Sequence, residues 1–188
     1  MLKTKIIFVD INESVCKSLR EIGFRDVIND SFFSVKSDCI VSPCNSFGFM
    51  DGGLDYVISN EIGWNVQDEV KKRIKNEFNG ELLVGQCMEH KIKHYWIKYL
   101  LVAPTMRVPM DIQKTANVYL SAKSIFNQIK KSSYKQVSIS GLGCGNMDPE
   151  NMSFQIEEAY KHVFINPKNY ESWQEAQYHH NNIITIKA

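Results

Sequence analysis

Residues 45–55 carry the group of side chains best suited to binding chemistry in this sequence. The segment holds three glycines together with the polar residues Asn45, Asp51 and Asp55. Glycine lets the backbone adopt positive φ and lets a ligand approach the main chain, while the helical pattern beginning at Leu54 aims unpaired N–H groups at phosphate. Because phosphate requires neither carboxylates nor an amide, we expect a sugar or another polyhydroxylated group beside it. The alternative is an ordinary connection between a strand and a helix.

A second loop, residues 141–149, alternates three glycines with other residues after a predicted buried strand. Backbone N–H groups can converge in such a segment to form an anion-binding nest. Pro149 suits the first turn of the helix that follows. Neither loop matches G-x-x-x-x-G-K-[ST] or places G-x-G-x-x-G in a first βα unit. The sequence therefore disfavours nucleoside triphosphatases and Rossmann dehydrogenases.

Other residues with reactive side chains have simpler interpretations. Asp30 ends a predicted strand and is either a turn former or a ligand group, with the turn favoured. Cys44 and Cys144 are candidate nucleophiles, but neither loop contains a histidine, so small buried cysteines are favoured. The adjacent His179 and His180 predict a surface segment rather than a metal site.

Alternating apolar strands and amphipathic helices must position the two loops. This alternation predicts an α/β protein with a three-layer α/β/α fold and a mixed, mostly parallel central sheet. Ligands of such folds bind outside the carboxyl ends of the strands, and both glycine loops belong to that edge. The helix from residue 54 has a predicted interruption at Gly63. We expect strands at residues 5–9, 27–28, 38–41, 81–87, 96–103 and 136–140, with helices near residues 14–22, 54–78, 111–130 and 149–163.

The composition limits the classes of protein to which this chain could belong. The 188 residues suit one domain, and 22 basic against 21 acidic residues give no strong signal for nucleic acid or an anionic membrane. Five cysteines form no C-x-x-C pair, and no signal-peptide pattern is visible at the start, so we expect a reducing, cytoplasmic location. No apolar run approaches the roughly 18 residues of a membrane span, so we expect no membrane partner.

Several short segments, in the correct order, resemble motifs of the macro domain family. The resemblance covers about residues 27–163 of one predicted domain, residues 1–188, and leaves residues 164–188 as a C-terminal extension packed on or flanking it. Other segments of the sequence resemble a bacterial or phage-like branch of the family. The segments are residues 29–32 (Gly-Asp-Ile in the family), 38–45 (Asp-Ala-Ile-Val-Asn-Ala-Ala-Asn), 52–55 (Gly-Gly-Val-Asp), 99–104 (the strand before the second loop) and 140–145 (the second, diphosphate-binding loop).

The resemblance implies that the protein binds ADP-ribose, free or on an ADP-ribosylated macromolecule. It implies no cofactor and no metal. Asp30 would accept hydrogen bonds from the adenine amino group, and both glycine loops would hold the diphosphate. The implied ligand-binding residues are Asp30, Ser31, Asn45, Asp51, Gly52, Gly53, Leu54, Gly143, Cys144, Gly145, Asn146 and Met147.

The resemblance further implies an ADP-ribosyl hydrolase as the first hypothesis. In that hypothesis Asn45 and Asp55 are catalytic and orient the distal ribose and a water molecule. A non-catalytic ADP-ribose reader that uses the same pocket is the alternative. Asp55 also has a simpler interpretation, as a carboxylate that caps the helix N-terminus.

Departures from the family pattern bear on the mechanism. Ser42 stands where many hydrolytic members have the first asparagine of their strand, and Asp51 replaces the first of three loop glycines. Residues 54–70 contain no lysine, which disfavours the lysine-adduct route of another branch. The usual final strand, which delivers an adenine-stacking aromatic, is not recognisable after Phe164.

Overall fold

A six-stranded sheet forms the centre of the computed structural model, which describes residues 3–185. The strands are β1 (Lys5–Asp10), β2 (Val27–Asn29), β3 (Cys39–Ser42), β4 (Met88–Lys91), β5 (Tyr99–Val102) and β6 (Gln136–Ile139). Their order is β2-β1-β6-β3-β5-β4. Neighbouring strands are parallel except β4 and β5, which are antiparallel. The prediction of a mixed, mostly parallel sheet is confirmed.

Helices cover both faces of this sheet. They are α1 (Glu13–Glu21), α2 (Gly53–Ile62), α3 (Asn65–Glu77), α4 (Asn117–Lys131), α5 (Pro149–Tyr160) and α6 (Trp173–Ile184). Buried side chains of α1, α4 and α5 form one core cluster with the sheet, and those of α2 and α3 form a second. The predicted three-layer α/β/α architecture is therefore confirmed.

The alternation of side chains along each strand divides the apolar residues between the two clusters. Ile7 and Val9 of β1 belong to the cluster under α2 and α3, whereas Phe8 between them belongs to the other. In β5, Leu100 and Leu101 separate in the same way. Strands buried on both faces must read as continuous apolar runs, which explains why these strands were recognisable from sequence.

Two predicted elements have different bounds in the structure. The strand expected at residues 81–87 is a turn, because Gly85 has φ +91° and the N–H of Gln86 donates to the Leu83 carbonyl at 2.9 Å. The adjoining strand is β4, at Met88–Lys91. The helix expected from residue 111 begins at Asn117, because the Ile112 N–H instead donates to the Asn146 carbonyl of the second glycine loop.

Helix boundaries elsewhere follow local capping. Asn12 caps α1, since its side-chain oxygen accepts the Ser14 N–H at 3.0 Å. The predicted interruption at Gly63 is confirmed, because this glycine has φ +102° and separates α2 from α3. Asp148 caps α5, and Pro149 is its first residue, as expected.

The chain after α5 forms no strand within the described residues. A π-helical turn, Lys161–Ile165, leads instead to α6, whose Ile183 is buried in the core. His180 is exposed, as predicted for a surface segment, but His179 packs inward and its Nδ1 lies 2.7 Å from the Tyr170 hydroxyl. No helix within residues 3–185 combines the length and the apolar character needed to cross a membrane.

Candidate functional site

A cleft of about 730 Å³ opens at the carboxyl ends of β1, β3 and β6. Both glycine loops line it, as the position of the loops after parallel strands predicts. Most of the predicted site residues therefore come together in one place. Those that line the cleft are Ser31, Asn45, Asp51, Gly52, Gly53, Leu54, Asp55, Gly143, Cys144, Gly145 and Asn146.

Two predicted ligand-binding residues, Asp30 and Met147, do not line the cleft. Asp30 is exposed after the edge strand β2, and its Oδ1 accepts the N–H of Ser31 at 2.6 Å. It therefore acts as a turn former, which is the interpretation that its own sequence context favoured over the ligand role implied by the resemblance. Met147 is buried in the core cluster that contains the side chains of α1, α4 and α5.

Asn45 uses most of its amide group to build the first loop. Its side-chain oxygen accepts the N–H groups of Phe47 and Phe49, at 3.0 and 3.3 Å, and its Nδ2 donates to the Phe49 carbonyl at 2.8 Å. Gly48 completes this turn with φ +71°, and a Cβ there would lie 2.9 Å from Val70. Asn45 thus fixes the loop conformation in addition to lining the cleft.

A buried anchor holds the segment that leads into the glycine pair. The Met50 N–H donates to the Gln67 side chain at 2.7 Å, and the Met50 carbonyl accepts the Ser59 hydroxyl at 2.9 Å. From this fixed point the chain enters α2 through Gly52, where no side chain caps the helix. Gly53 has φ +56°, and a Cβ there would meet nothing within 4 Å. The N-terminus of α2 is thus open to a ligand in the cleft.

Asp55 is the buried carboxylate of the cleft. Its side chain accepts a 2.6 Å hydrogen bond from the hydroxyl of Ser42 at the end of β3. Burial raises the pKa of Asp55 to about 7, with a smaller upward contribution from Asp51, while the Ser42 hydrogen bond acts in the opposite direction. The hydrogen bond of Asp55 goes to Ser42 rather than to a backbone N–H of α2, but its carboxylate lies in the first turn of the helix, so the helix-dipole part of the capping interpretation still applies.

Asp10 connects the first strand to the second glycine loop. Its Oδ2 accepts the Gly141 N–H at 3.0 Å, and its Oδ1 accepts the Asn12 N–H at 2.9 Å. The register pairs Phe8 with Ile139. Asp10 lies two residues after Phe8 and Gly141 lies two residues after Ile139, so Asp10 and Gly141 are side by side. Asp10 lines the cleft and was not among the predicted site residues. Its one signal in the sequence is a carboxylate directly after the predicted strand of residues 5–9, and such a residue is equally typical of a turn.

The second loop owes its glycines partly to packing. A Cβ on Gly141 would lie 2.7 Å from a Val15 methyl carbon, and one on Gly143 would lie 2.7 Å from the Ile112 side chain. Gly143 also has φ +69°, and its carbonyl accepts the Asn146 N–H at 2.9 Å. This close packing keeps the main chain of residues 141–146 at the cleft surface.

The thiols of the cleft are poor nucleophiles. Burial raises the pKa of Cys44 well above its ordinary value, and burial with the nearby Asp10 raises the pKa of Cys144 to about 11. Both groups are protonated at neutral pH, which disfavours the cysteine mechanism. Within residues 3–185, no group of three or more His, Cys, Asp or Glu side chains is placed to hold a metal ion.

Apolar residues of the cleft were also missed from sequence. Ile11, Phe49 and Val57 line it and are 80%, 46% and 41% exposed. Phe32 and Met106 line it as well. Their positions just after strands or in the loops were their only signal in the sequence. That signal is weak, because an isolated apolar residue in a loop is common. The cleft therefore combines apolar surfaces with carboxylates and open backbone N–H groups.

Comparisons with known proteins agree with this architecture. The macro domain family profile matches residues 41–160. An uncharacterized protein of Aquifex aeolicus (strain VF5) is 28% identical over 119 residues, which are 63% of this chain and 68% of that protein.

Three solved structures with the same fold are distant from this chain in sequence. The macrodomain of Thermus aquaticus DarG matches with a TM-score of 0.63 at 13% identity, over 86% of this chain and 93% of that one. The macrodomain of Mycobacterium tuberculosis DarG matches with 0.61 at 17%, over 71% and 88%. Thermosipho africanus DarTG, in complex with ADP-ribose, matches with 0.54 at 16%, over 86% of this chain and 50% of that one.

Proposed function

This chain belongs to the macro domain family, and we propose that its cleft binds ADP-ribose or an ADP-ribose derivative, free or attached to a macromolecule. The observation that carries the proposal is that both glycine loops line one cleft at the carboxyl ends of parallel strands. A volume of about 730 Å³ suits a ligand of this size. The ADP-ribose complex of the structurally similar Thermosipho africanus DarTG supports the same ligand class.

The charge distribution of the cleft favours a ligand that carries hydroxyl groups as well as phosphate. Within residues 3–185, no lysine, arginine or histidine lines the cleft, whereas Asp10, Asp51 and Asp55 do. A bound diphosphate must therefore rely on backbone N–H groups and on the N-terminus of α2. The carboxylates repel phosphate but accept hydrogen bonds from sugar hydroxyl and amino groups. Inorganic diphosphate alone should consequently bind much more weakly than ADP-ribose.

We further propose that the protein hydrolyses ADP-ribosyl linkages, with Asp55 as the general base. A pKa of about 7 leaves the carboxylate substantially ionised, yet basic enough to take a proton near neutral pH. In this step Asp55 removes a proton from water as the water oxygen bonds to the anomeric carbon of the distal ribose. The bond to the modified group breaks, and that group leaves with the bonding electron pair. Ser42 fixes the orientation of the carboxylate.

A reader that binds without turnover is the second candidate, and the state of Asn45 favours it. The amide oxygen of Asn45 accepts two loop N–H groups, and its nitrogen already donates to Phe49. Asn45 therefore has one side-chain N–H left with which to contact the distal ribose. Ser42, which replaces the family asparagine, is bonded to Asp55 rather than directed at a ligand.

Calorimetry tests the binding proposal. We expect ADP-ribose to bind and inorganic diphosphate to give little heat, and a ligand at one hundred times its dissociation constant should stabilise the fold by about 2.7 kcal/mol. The absence of both heat and thermal stabilisation at millimolar ADP-ribose would refute ADP-ribose as the ligand.

Turnover is tested separately, with mono-ADP-ribosylated protein and with an acylated ADP-ribose as substrates. Release of free ADP-ribose over time by the wild type, and its loss in Asp55→Asn, supports the hydrolase. Binding of ADP-ribose without any release from either substrate supports the reader.

The oxidation state of the cysteines supports a cytoplasmic location, which we also propose. All five cysteines are unpaired, and Cys16, Cys39 and Cys44 are buried. Free thiols persist in a reducing compartment. Fractionation of cells that produce the protein tests this proposal, and recovery in an oxidising compartment would contradict it.

A further inference from the structure

We infer that the edge of the sheet opposite the cleft binds single-stranded nucleic acid through a row of lysines and an exposed tyrosine. We name this surface the basic edge, and it contains none of the residues that line the cleft. The inference is therefore independent of the proposed binding of ADP-ribose. The residues of the basic edge are Lys36, Lys91, Lys93, Tyr95, Lys98 and Lys135.

The topology of the sheet gathers these lysines from separate parts of the sequence. Lys98 and Lys135 come directly before β5 and β6, at the ends of those strands that lie away from the cleft. Lys91 ends the antiparallel strand β4 and pairs with Tyr99, the first residue of β5. The three strand intervals from β6 to β4 span about 14 Å. A stacked single strand carries about four phosphates over that length, since they are about 3.4 Å apart.

The lysines of the basic edge are exposed and form no ion pair within the described residues. The ion pairs of lysine in residues 3–185 involve Lys5, Lys17, Lys161 and Lys168. Asp38, the carboxylate beside this row, instead accepts the backbone N–H groups of Lys135 and Gln136, at 3.2 and 2.9 Å. A row of unpaired positive charges attracts a chain of phosphates. The charge of the whole chain gave no such signal, because the fold rather than the sequence brings these lysines together.

Tyr95 supplies a surface on which a base can stack. It lies in the hairpin between β4 and β5 and is 79% exposed. Its ring centroid is 4.1 Å from that of Trp96, and the Lys36 ammonium lies over the Trp96 ring at 5.3 Å. Aromatic rings among cationic side chains are typical of surfaces that bind single strands. Unpaired bases can stack on such a ring, whereas the bases of a duplex are stacked on one another.

Fluorescence anisotropy with three labelled probes tests the role of the ring. The probes are a ten-residue oligodeoxythymidine, a ten-base-pair DNA duplex and a ten-residue polyglutamate peptide. We expect the single strand to bind at least about fivefold more tightly than either of the others. Tyr95→Ala should weaken the single strand about fivefold or more and leave the duplex unchanged. The matched control is Tyr178→Ala, because Tyr178 is 71% exposed on α6, outside the basic edge.

Equal affinities for the three probes, with no effect of Tyr95→Ala, would overturn the inference. The basic edge would then attract any polyanion and would not recognise a single strand. Tighter binding of the peptide than of the single strand would overturn it in favour of an acidic protein partner.

Charge reversal tests the lysine row separately. We expect the combined variant Lys98→Glu, Lys135→Glu to weaken the single strand at least about tenfold at low salt. It should also reduce the slope of log affinity against log salt by about 1.4, since each phosphate contact contributes about 0.7. The control is Lys17→Glu, Lys72→Glu, which changes the net charge equally at exposed positions of α1 and α3. Thermal unfolding of both variants verifies that they are folded. Equal weakening in the two variants would show that net charge alone governs binding, which overturns the inference.

Competition with ADP-ribose distinguishes the basic edge from the cleft. We expect saturating ADP-ribose to leave the single strand bound, because the two surfaces lie at opposite edges of the sheet. Displacement would place the single strand in the cleft and overturn the inference. A wild type that binds the single strand but no ADP-ribose would instead overturn the proposed function alone.

Discussion

Asp55 combines burial with a position in the cleft, and these two properties make its protonation state the main variable of the proposed chemistry. Burial raises its pKa to about 7, and the Ser42 hydroxyl moderates the rise by donating to the carboxylate. The free protein therefore holds a mixture of carboxylate and carboxylic acid near neutral pH. A general base acts only as the carboxylate.

The first prediction is that kcat/KM for hydrolysis rises with pH through a midpoint near 7, the pKa of Asp55. Ser42→Ala removes the hydrogen bond that favours the ionised form, so the midpoint should move to higher pH. Asp55→Asn should lower kcat by about 10² to 10⁴ and leave much of the ADP-ribose affinity. Rates across a pH series measure all three effects. A midpoint that Ser42→Ala leaves in place would show that another group controls the profile.

The second prediction concerns two glycines that both have positive φ, +56° at Gly53 and +69° at Gly143, but different surroundings. Gly53 has open space at its Cβ position, whereas a Cβ on Gly143 would lie 2.7 Å from Ile112. Gly53→Glu should therefore abolish ADP-ribose binding by filling the cleft and repelling the diphosphate, at a cost of about 1–2 kcal/mol in stability from its positive φ. Gly143→Ala should reduce stability more, by about 2–4 kcal/mol, because it adds a steric clash to the same strain.

Gly53→Ala is the control for the first of these variants. It carries the same backbone strain as Gly53→Glu but introduces neither bulk nor charge, so it should unfold at nearly the same temperature and retain more affinity. Calorimetry and thermal unfolding give both quantities. Wild-type affinity in Gly53→Glu would place the diphosphate elsewhere.

At the scale of elements, the sequence was informative where burial was uniform. β3, β5 and β6 are continuous apolar runs because both faces of the sheet are covered by helices. The edge strand β4 reads Met-Glu-His-Lys, with only Met88 and His90 buried, so its polar sequence gave no strand signal. The apolar segment just before it contains Leu82, whose side chain is buried in the cluster with α2 and α3 and whose N–H donates to the Ser46 carbonyl of the first glycine loop at 2.9 Å.

The residues of the site also divide into those that could be predicted from the sequence and those that could not. The glycine loops were recognisable because positions with positive φ, such as Gly48, Gly53 and Gly143, favour glycine, and their convergence followed from the parallel sheet. Asp10 and Ile11 were not recognisable, because their place in the cleft depends on β1 lying between β2 and β6. The order of strands in a sheet is set by long-range contacts that local patterns do not contain.

The third prediction belongs to the packing of α5 and its π-helical turn against α4. His162 is 8% exposed, its Nδ1 lies 2.8 Å from the Tyr119 hydroxyl, and burial followed by the charge of Lys123 lowers its pKa from 6.5 to about 4. Between these two pKa values, His162 is therefore protonated in the unfolded chain and neutral in the folded chain. This contribution to stability is complete above about pH 6.5 and is lost as the pH falls toward 4.

His162→Asn isolates the contribution of His162 protonation to stability, because the other consequences of the substitution do not change with pH. The difference in unfolding free energy between the wild type and the variant should shrink by about 1–3 kcal/mol from pH 7 to pH 4.5. Denaturant unfolding at several pH values measures it. His180→Asn, at an exposed position of the same C-terminal segment, is the control. A difference that stays constant with pH would show that His162 binds its proton equally well in the folded and unfolded chains.

At the scale of the whole molecule, the two chain ends have unequal importance. β1 pairs with both β2 and β6 in the interior of the sheet, and its Phe8 and Val9 enter different core clusters. The residues that line the cleft all lie between Val9 and Asn146. After residue 165, the chain adds α6, whose Ile183 is the residue buried in the core within that described segment. The N-terminal strand is therefore part of both the core and the cleft, whereas α6 packs against α5 and contributes no lining residue to the cleft.

The last prediction compares two truncated chains on this basis. The fragment of residues 27–163, the span of the family resemblance, lacks β1. Because the loss of β1 splits the sheet between β2 and β6, this fragment should show no cooperative unfolding. The fragment of residues 1–165 should fold and bind ADP-ribose within about twofold of the full chain, since distant sites contribute independently. Its free energy of unfolding should fall by about 2–4 kcal/mol, largely from the loss of Ile183 burial. Circular dichroism during thermal unfolding and calorimetry with ADP-ribose measure the outcome. Cooperative folding of residues 27–163 would show that β1 is dispensable, and lost binding in residues 1–165 would assign α6 a part in shaping the cleft.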